Sequence, residues 1–260
     1  TSFQLHTYQR KGNATREYVK PIPVEVFEPV KDKVVEWFKT RGISQTSLND
    51  LNVTTGEEYM PQTGQKENTI QFNYIMGDEL VNVKYRDGRK NFKLYKGAEK
   101  IFYNINSIVG YDWCVITEGE MDALALHEAG IKNVISVPNG ATLNSNNLDY
   151  LDNCIDYFED KEKIILAVDA DEAGQALRYE FIRRLGAEVC YLVDFNGNKD
   201  ANDFLVEHGA EELRKIITTA TQVPLEGVST LKDIEAELLD FVHNGFKPGF
   251  QVGLENFDNI

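Results

Sequence analysis

Two groups of carboxylates stand where apolar runs end. Val115-Ile116-Thr117 leads into Glu118-Gly119-Glu120-Met121-Asp122, and the helix-forming Ala123-Leu124-Ala125-Leu126 follows. Further along, Ile164-Ile165-Leu166-Ala167-Val168 leads into Asp169-Ala170-Asp171-Glu172-Ala173-Gly174. Two strand ends that both carry acids can place a divalent metal between them, because a hard cation such as Mg²⁺ prefers oxygen ligands. Such an ion neutralises phosphate oxygens and orients an attacking hydroxyl. Phosphoryl transfer needs little beyond that positioning and charge stabilisation. For Glu120, Asp122 and Glu172 a competing role carries comparable weight, since acids in a first helical turn complement the helix dipole. Glu118, Asp169 and Asp171 sit at the strand ends themselves, where crowded like charges repel unless a cation joins them. These three are the candidate catalytic and metal-binding residues.

The elements that must position them form an alternating series. From residue 110, strands are predicted at 112–117, 133–137, 164–168 and 188–193, with helices at 120–129, 145–159, 172–185 and 210–219. A βαβ series implies an α/β fold, a parallel sheet with helices on both faces. Such sheets bind ligands at the carboxyl ends of their strands, where Glu118, Asp169 and Asp171 lie.

The first half reads differently. Residues 1–24 form a polar tail containing Pro21-Ile22-Pro23. A helix is expected over 28–40, with Val30, Val34, Val35, Trp37 and Phe38 as its apolar side, stopped by Gly42. Ser44 or Thr46 can cap a short helix around Leu48. Residues 67–104 read as β structure. Leu80–Arg86 alternates and turns at Asp87-Gly88, a hairpin signal; Asn91–Tyr95 returns, and Ile101-Phe102-Tyr103 is a further candidate strand. Alternation predicts aromatic and basic side chains on opposite faces of these strands. At the other end, 220–229 reads as a linker with Pro224 and Gly227. A helix over 231–243, capped by Ser229 or Thr230, carries a stripe of Leu231, Ile234, Leu238 and Val242. The implied division is a tail (1–24), a small mixed α+β basic subdomain (25–109), the α/β domain (110–222) and a linker helix with the remaining C-terminal residues (223–260).

Charge and composition narrow the function. The chain has 260 residues, 42% hydrophobic and 27% charged, with a net charge of −15. That balance excludes a protein coated in nucleic acid, which requires clustered positive charge. Yet residues 84–96 hold Lys84, Arg86, Arg89, Lys90, Lys93 and Lys96 against a single acid, Asp87. One basic strip on an acidic protein suits local nucleic-acid binding. Cys114, Cys154 and Cys190 form no CxxC pair, which argues against a disulfide framework or zinc ribbon and for a reducing compartment. No apolar run approaches the roughly 18 residues of a membrane helix, so a soluble protein with no membrane partner is expected. Thr1 is not an initiator methionine, and the expectation is a piece of a longer chain.

Thr117-Glu118-Gly119-Glu120-Met121-Asp122-Ala123-Leu124-Ala125-Leu126 closely resembles the first TOPRIM motif, and Asp169-Ala170-Asp171-Glu172-Ala173-Gly174 resembles its DxD motif. Lys199-Asp200-Ala201-Asn202-Asp203-Phe204-Leu205 is similar to the lysine-aspartate motif that follows in primases. Three motifs in order are far more specific than one. The resemblance implies a Rossmann-like TOPRIM sheet in which Glu118 is an acid/base and metal-site residue. Asp169 and Asp171 would bind Mg²⁺ (or Mn²⁺), Asp200 would complete the acidic cluster, and Lys199 would touch a triphosphate. Val137-Pro138-Asn139-Gly140-Ala141 either offers backbone N–H groups to phosphates or is an ordinary turn. Upstream, Trp37-Phe38-Lys39-Thr40-Arg41-Gly42-Ile43-Ser44 resembles a segment of primases and Twinkle-like proteins. The 84–93 strip resembles the basic segment that lines the template and nucleotide path in phage-type primase-helicases. Downstream, Gly245-Phe246-Lys247-Pro248-Gly249 to Ile260 resembles the beginning of a hexameric replicative helicase, whose linker helix packs on a neighbouring subunit. No GxxxxGK[ST] phosphate loop occurs in this chain.

The implied function is a primase core that joins ribonucleoside triphosphates into short RNA primers on single-stranded DNA, with a helicase domain in cis. Its setting would be the cytoplasm of a bacterial or phage-infected cell, or an organelle. Two alternatives stand beside it. One is a non-catalytic single-stranded-DNA-binding module serving a helicase, favoured by the missing zinc-ribbon cysteines and opposed by the retained acids. The other is a fragment of a TOPRIM nuclease or topoisomerase.

Overall fold

A computed structural model describes residues 18–21, 30–140, 148–224, 239 and 242–243. Helix α1 (Asp32–Lys39) buries Phe38 and leaves Trp37 half-buried at its side. Gly42, at a φ of 72°, follows it and lets the chain reverse. Helix α2 (Gln45–Asp50) is capped by Ser44, whose hydroxyl accepts from the Ser47 N–H at 3.3 Å. Four antiparallel strands follow in spatial order: β1 (Val53–Met60), β2 (Gln65–Met76), β3 (Glu79–Asp87) and β4 (Phe92–Leu94). Strand β1 was not expected, because Gly56-Glu57-Glu58 dilutes its alternation.

The basic hairpin corrects two expectations. Its turn spans 88–91 rather than two residues. The Asp87 carboxylate accepts from the N–H groups of Arg89 (2.8 Å) and Asn91 (2.9 Å), and Lys90 takes a φ of 64°. Nor do aromatics and cations separate onto opposite faces. The β3–β4 register pairs Arg86 with Phe92 and Tyr85 with Lys93, so each face carries one of each.

The second half builds β5 (Trp113–Thr117), α3 (Glu120–Glu128), β6 (Val134–Ser136), α4 (Asp149–Asn153), β7 (Lys163–Ala167), α5 (Glu172–Leu185), β8 (Cys190–Leu192), α6 (Ala201–Thr218) and β9 (Thr221–Gln222). The sheet runs β6-β5-β7-β8-β9, with the first four strands parallel and β9 antiparallel at the edge. The predicted α/β fold is therefore present, with differences in detail. The helix expected over 145–159 is the short α4 followed by one 3₁₀ turn, Ile155–Phe158. Cys154 leaves helical geometry at a φ of −116°, and Phe158 then packs on Phe102 at 5.5 Å. The helix expected at 210–219 begins instead at Ala201, breaking only at Gly209 (φ 83°). Ile101-Phe102-Tyr103 is not a strand but a single bridge from Tyr103 to Ser136, and all three side chains are buried.

One apolar core runs from Phe38 and Leu48 through Phe72, Tyr74 and Phe102 to Val115, Ile116, Ile165 and Leu166. It crosses residue 109 without interruption, so both sheets are anchored on the same buried wall. The chain divides between Val223 and Pro224 into two compact units. In the second unit Leu239, Val242 and His243 are helical. Leu231, Ile234 and Leu238 of the expected linker stripe, and most of the expected 1–24 tail, lie outside the described residues. Among the described residues no helix is long and apolar enough to cross a membrane.

Candidate active site

Strand β5 delivers Glu118 and then bends into α3 through Gly119, where an added Cβ would lie 3.1 Å from Asp122 Oδ2. The small residue lets the Asp122 carboxylate fold back toward the strand end. Asp122 Oδ1 accepts from the Asn202 N–H at 3.1 Å, joining α3 to the start of α6. Strand β7 delivers Asp169, buried at its carboxyl end. Asp171 then caps α5, accepting from the Gly174 N–H at 3.0 Å. At Gly174 an added Cβ would stand 2.2 Å from the Asp169 carbonyl oxygen, so the helix start presses directly on the strand end. That contact accounts for the glycine trailing the two aspartates. Asp200 caps α6, accepting from the Asp203 N–H at 2.8 Å.

These acids feel one another. Burial drives Asp122 well above the usual carboxylate range, and the charges of Asp200, Asp169 and Glu118 push the same way against the Asn202 hydrogen bond. Asp169 is also raised, first by burial and then by Asp200 and Asp171, while Lys199 opposes the shift. Lys199 Nζ lies 3.0 Å from Asp169 Oδ2 and is itself raised by that bond and charge. Glu118, Asp169, Asp171 and Asp200 therefore belong to one electrostatic cluster. Asp122 is a further member, although its place in a first helical turn suits a helix-dipole role equally well. A sequence signal for it exists, because Asp122 belongs to the acid-rich run Glu118–Asp122 that follows the strand.

Among the described residues no three such side chains already converge as a metal cage. The donor set still fits a divalent ion, since every member is a hard oxygen ligand. Mg²⁺ characteristically takes one or two carboxylates and completes its shell with water and substrate phosphate. The Val137–Gly140 turn comes close to this edge: an added Cβ on Gly140 (φ 64°) would lie 3.7 Å from Glu118 Oε1.

The six cations of the basic segment do not share one surface. Lys84 is buried, with its ammonium 2.8 and 2.9 Å from the two Glu120 oxygens, and the Tyr74 hydroxyl donates to the same carboxylate. Lys84 thus binds the two halves of the molecule together rather than lining an exposed strip. Arg86 lies over the Trp37 ring at 4.6 Å and near Phe92 at 5.9 Å. Lys93 turns to the other face, pairing with Glu58 at 2.8 Å and lying over Tyr85 at 5.1 Å. Arg89, Lys90 and Lys96 are exposed.

Arg41, which the sequence marks only as part of a helix end, joins this group. Its guanidinium lies 5.8 Å from the same Trp37 ring, donates to Asn202 Oδ1 at 3.2 Å and stands 3.6 Å from Asp203. Burial lowers the Arg86 pKa, and the nearby Arg41 charge lowers it further. Phe92, Arg86, Trp37 and Arg41 form a continuous band ending at Asn202, which touches the acidic cluster through Asp122.

Residues 115–205 match the Toprim-like family. The chain is 33% identical to the Arabidopsis thaliana "Twinkle homolog protein, chloroplastic/mitochondrial", over 90% of this chain and 35% of that protein. It is 36% identical to the Arabidopsis thaliana "Primase homolog protein", over 76% of this chain and 62% of that protein. The chain thus spans less than two thirds of the length of either relative. Among solved structures, the primase fragment of the bacteriophage T7 primase-helicase protein superposes with a TM-score of 0.60 at 24% identity, covering 78% of this chain and 83% of that one. At that identity the likeness is one of fold.

Proposed function

We propose that this chain, a TOPRIM primase core of the Twinkle-like and phage type, makes short RNA primers on single-stranded DNA by metal-dependent nucleotidyl transfer. The observation that carries the reading is a juxtaposition. A cluster of acids stands at the carboxyl edge of a parallel sheet, Asp122 and Asp169 raised by burial and by their neighbours' charges, and a band of guanidinium and aromatic groups runs into it.

In the proposed reaction the primer 3′-hydroxyl oxygen bonds to the α-phosphorus of a ribonucleoside triphosphate. The bond from that phosphorus to the bridging oxygen breaks, and pyrophosphate leaves. Glu118 takes the hydroxyl proton. Glu118, Asp169, Asp171 and Asp200 would hold Mg²⁺ or Mn²⁺, with Asp122 as a neighbouring carboxylate. When bound, the ion supplies charge neutralisation on the phosphate oxygens. Lys199 contacts the triphosphate. Arg86, Arg89, Lys90 and Lys96 follow the template backbone, Trp37 and Phe92 offer faces on which bases can stack, and Lys93 extends the path on the far face. Residues 25–109 then carry the template, 110–222 the chemistry, and 223–260 lead to a helicase domain in cis or in neighbouring subunits. An organelle or a bacterial or phage-infected cell is the setting.

Asp169→Asn tests this reading. It should lower primer synthesis by about 10³-fold, the scale for losing a group that stabilises transition-state charge, with an unchanged thermal transition. Full activity in that variant beside an active wild type sinks the site. One observation favours a second reading: Lys199 already occupies Asp169 at 3.0 Å, as in a site kept only for binding DNA. In that case the wild type binds single-stranded DNA and makes no primer with any mixture of ribonucleotides and templates.

A further inference from the structure

Outside the acidic cluster, on its α5 flank, lies a cavity of about 490 Å³. It opens between α5 and the loop from β8 to α6. Its floor is apolar, made by Val168, Leu192 and Phe195, and its polar wall includes Gln175, Arg178, Asp194 and Lys199. The volume falls in the range typical of small-molecule sites, and its place at the carboxyl edge of a parallel sheet is where such folds bind ligands.

Arg178 is the residue that needs explaining. Its Nε is buried with no hydrogen-bond partner. Burial lowers its pKa, with the charge of Asp194 acting in the opposite direction. Among the described residues no carboxylate comes within ion-pair distance of it. Arg178 as a whole is half-buried, but a buried N–H donor without an acceptor is destabilising, and a guanidinium is shaped for bidentate pairing with phosphate. Lys199 adds a second cation on the same wall, and its side chain is still largely exposed. Among the described residues Asp194 accepts only from the Asn196 N–H, through Oδ1, which leaves its other oxygen for ribose hydroxyls.

The geometry points to this cavity as a binding site for a nucleoside phosphate, with the phosphate on Arg178 and Lys199, the ribose on Asp194 and the base against Leu192 and Phe195. The site adjoins the acidic cluster and shares Lys199 with it, and its nucleotide binding can be read out without the catalytic reading. The two are linked through Lys199, which leaves Asp169 when a phosphate takes its ammonium. By reciprocity, a nucleotide here and a cation at Asp169 favour one another.

The probe is ADP, titrated calorimetrically into the protein in excess EDTA, where binding that depends on a divalent ion is silent. Wild type should bind saturably, Arg178→Ala at least tenfold more weakly, and Arg178→Lys between the two. Arg178→Lys keeps the charge and the stem, so it carries the test if the alanine variant fails to fold. Asp169→Asn should bind ADP as tightly as wild type or tighter, whatever becomes of its primer synthesis. Absence of saturable ADP binding by wild type, or equal affinity in both Arg178 variants and wild type, overturns the site. Inorganic phosphate binding as tightly as ADP overturns the nucleotide assignment.

Discussion

Glu120 and Asp122 stand two residues apart in the first turn of one helix, yet they belong to opposite kinds of place. Glu120 lies in the seam between the two sheets, where the Lys84 ammonium touches both its oxygens and Tyr74 donates to it. Asp122 lies at the edge, facing Asp200, Asp169 and Glu118 with one backbone N–H as its partner. In the seam the Glu120 charge is matched by Lys84, and burial makes the match structural. At the edge the acids outnumber their one lysine, and their capping bonds leave Asp122 and Asp169 raised by burial and by one another's charge. Perturbed groups of this kind cluster where ligands bind.

The largest expected effect breaks the matched side. Lys84→Met leaves Glu120 buried without its cation and should destabilise the fold by about 3–5 kcal/mol, the scale for removing one partner of a buried pair. Chemical denaturation measures it. A loss below about 1 kcal/mol, typical of a surface pair, would place Lys84 back on an open surface. The double variant Lys84→Met with Glu120→Leu should recover much of the loss, because it removes the stranded charge. Next in size is Gly174→Ala. Its Cβ would meet the Asp169 carbonyl at 2.2 Å, so the α5 start must move away at about 1–3 kcal/mol. Because that movement displaces Asp169 against Asp171, Mn²⁺ affinity should fall along with stability. An unchanged Mn²⁺ titration would detach the glycine from the edge.

The same contrast governs how far the two regions are legible in the sequence. The edge is readable because a strand ending in acids before a helix is local: Glu118 and Asp169 stand at the ends of apolar runs, and Asp171 follows two residues later. The boundaries of α5 are equally plain, with Asp171 as a cap and Gly186 after its end. The seam is not readable. Nothing local distinguishes Lys84 from Lys90, and only the pairing of β3 beside α3 sends one inward and leaves the other in water. Arg41 is hidden for the same reason, since its partner Asn202 is distant in sequence. The expected strand at Ile101–Tyr103 failed differently. A run buried on all sides has no period, so strand and core linker look alike until the fold is complete.

Asp122→Asn sharpens the edge side. The raised native carboxyl keeps its proton where the unfolded chain has lost its own. Stability therefore falls as pH rises from the ordinary carboxylate range toward the native value. Asparagine preserves an oxygen for the Asn202 N–H and removes the charge. In EDTA the variant should melt higher than wild type at pH 8, with a flatter dependence on pH. A lower melting temperature across that range would mean that the Asp122 charge is matched after all.

The smallest expected effect lies at the other end of α3, at Glu128. Its carboxylate accepts from the Ser44 N–H (3.0 Å) and the hydroxyls of Ser44 (2.8 Å) and Ser47 (2.6 Å), tying α2 to α3. Partial burial alone would raise this group. The serine bonds, Ser47 first, outweigh burial and hold it below the ordinary value. The sign is opposite to that of Asp122. A depressed carboxyl stabilises the fold above its unfolded value and loses that contribution as pH falls through its native value. Glu128→Gln keeps an oxygen for one serine and gives up the charge-assisted bonds. It should lower stability modestly at neutral pH, converge with wild type in acid, and reduce the steepness of acid unfolding between. Opposite pH slopes from Glu128 and Asp122, both removed by amide substitution, would fix which carboxylates hold the fold and which are held by it. Parallel slopes would erase the distinction.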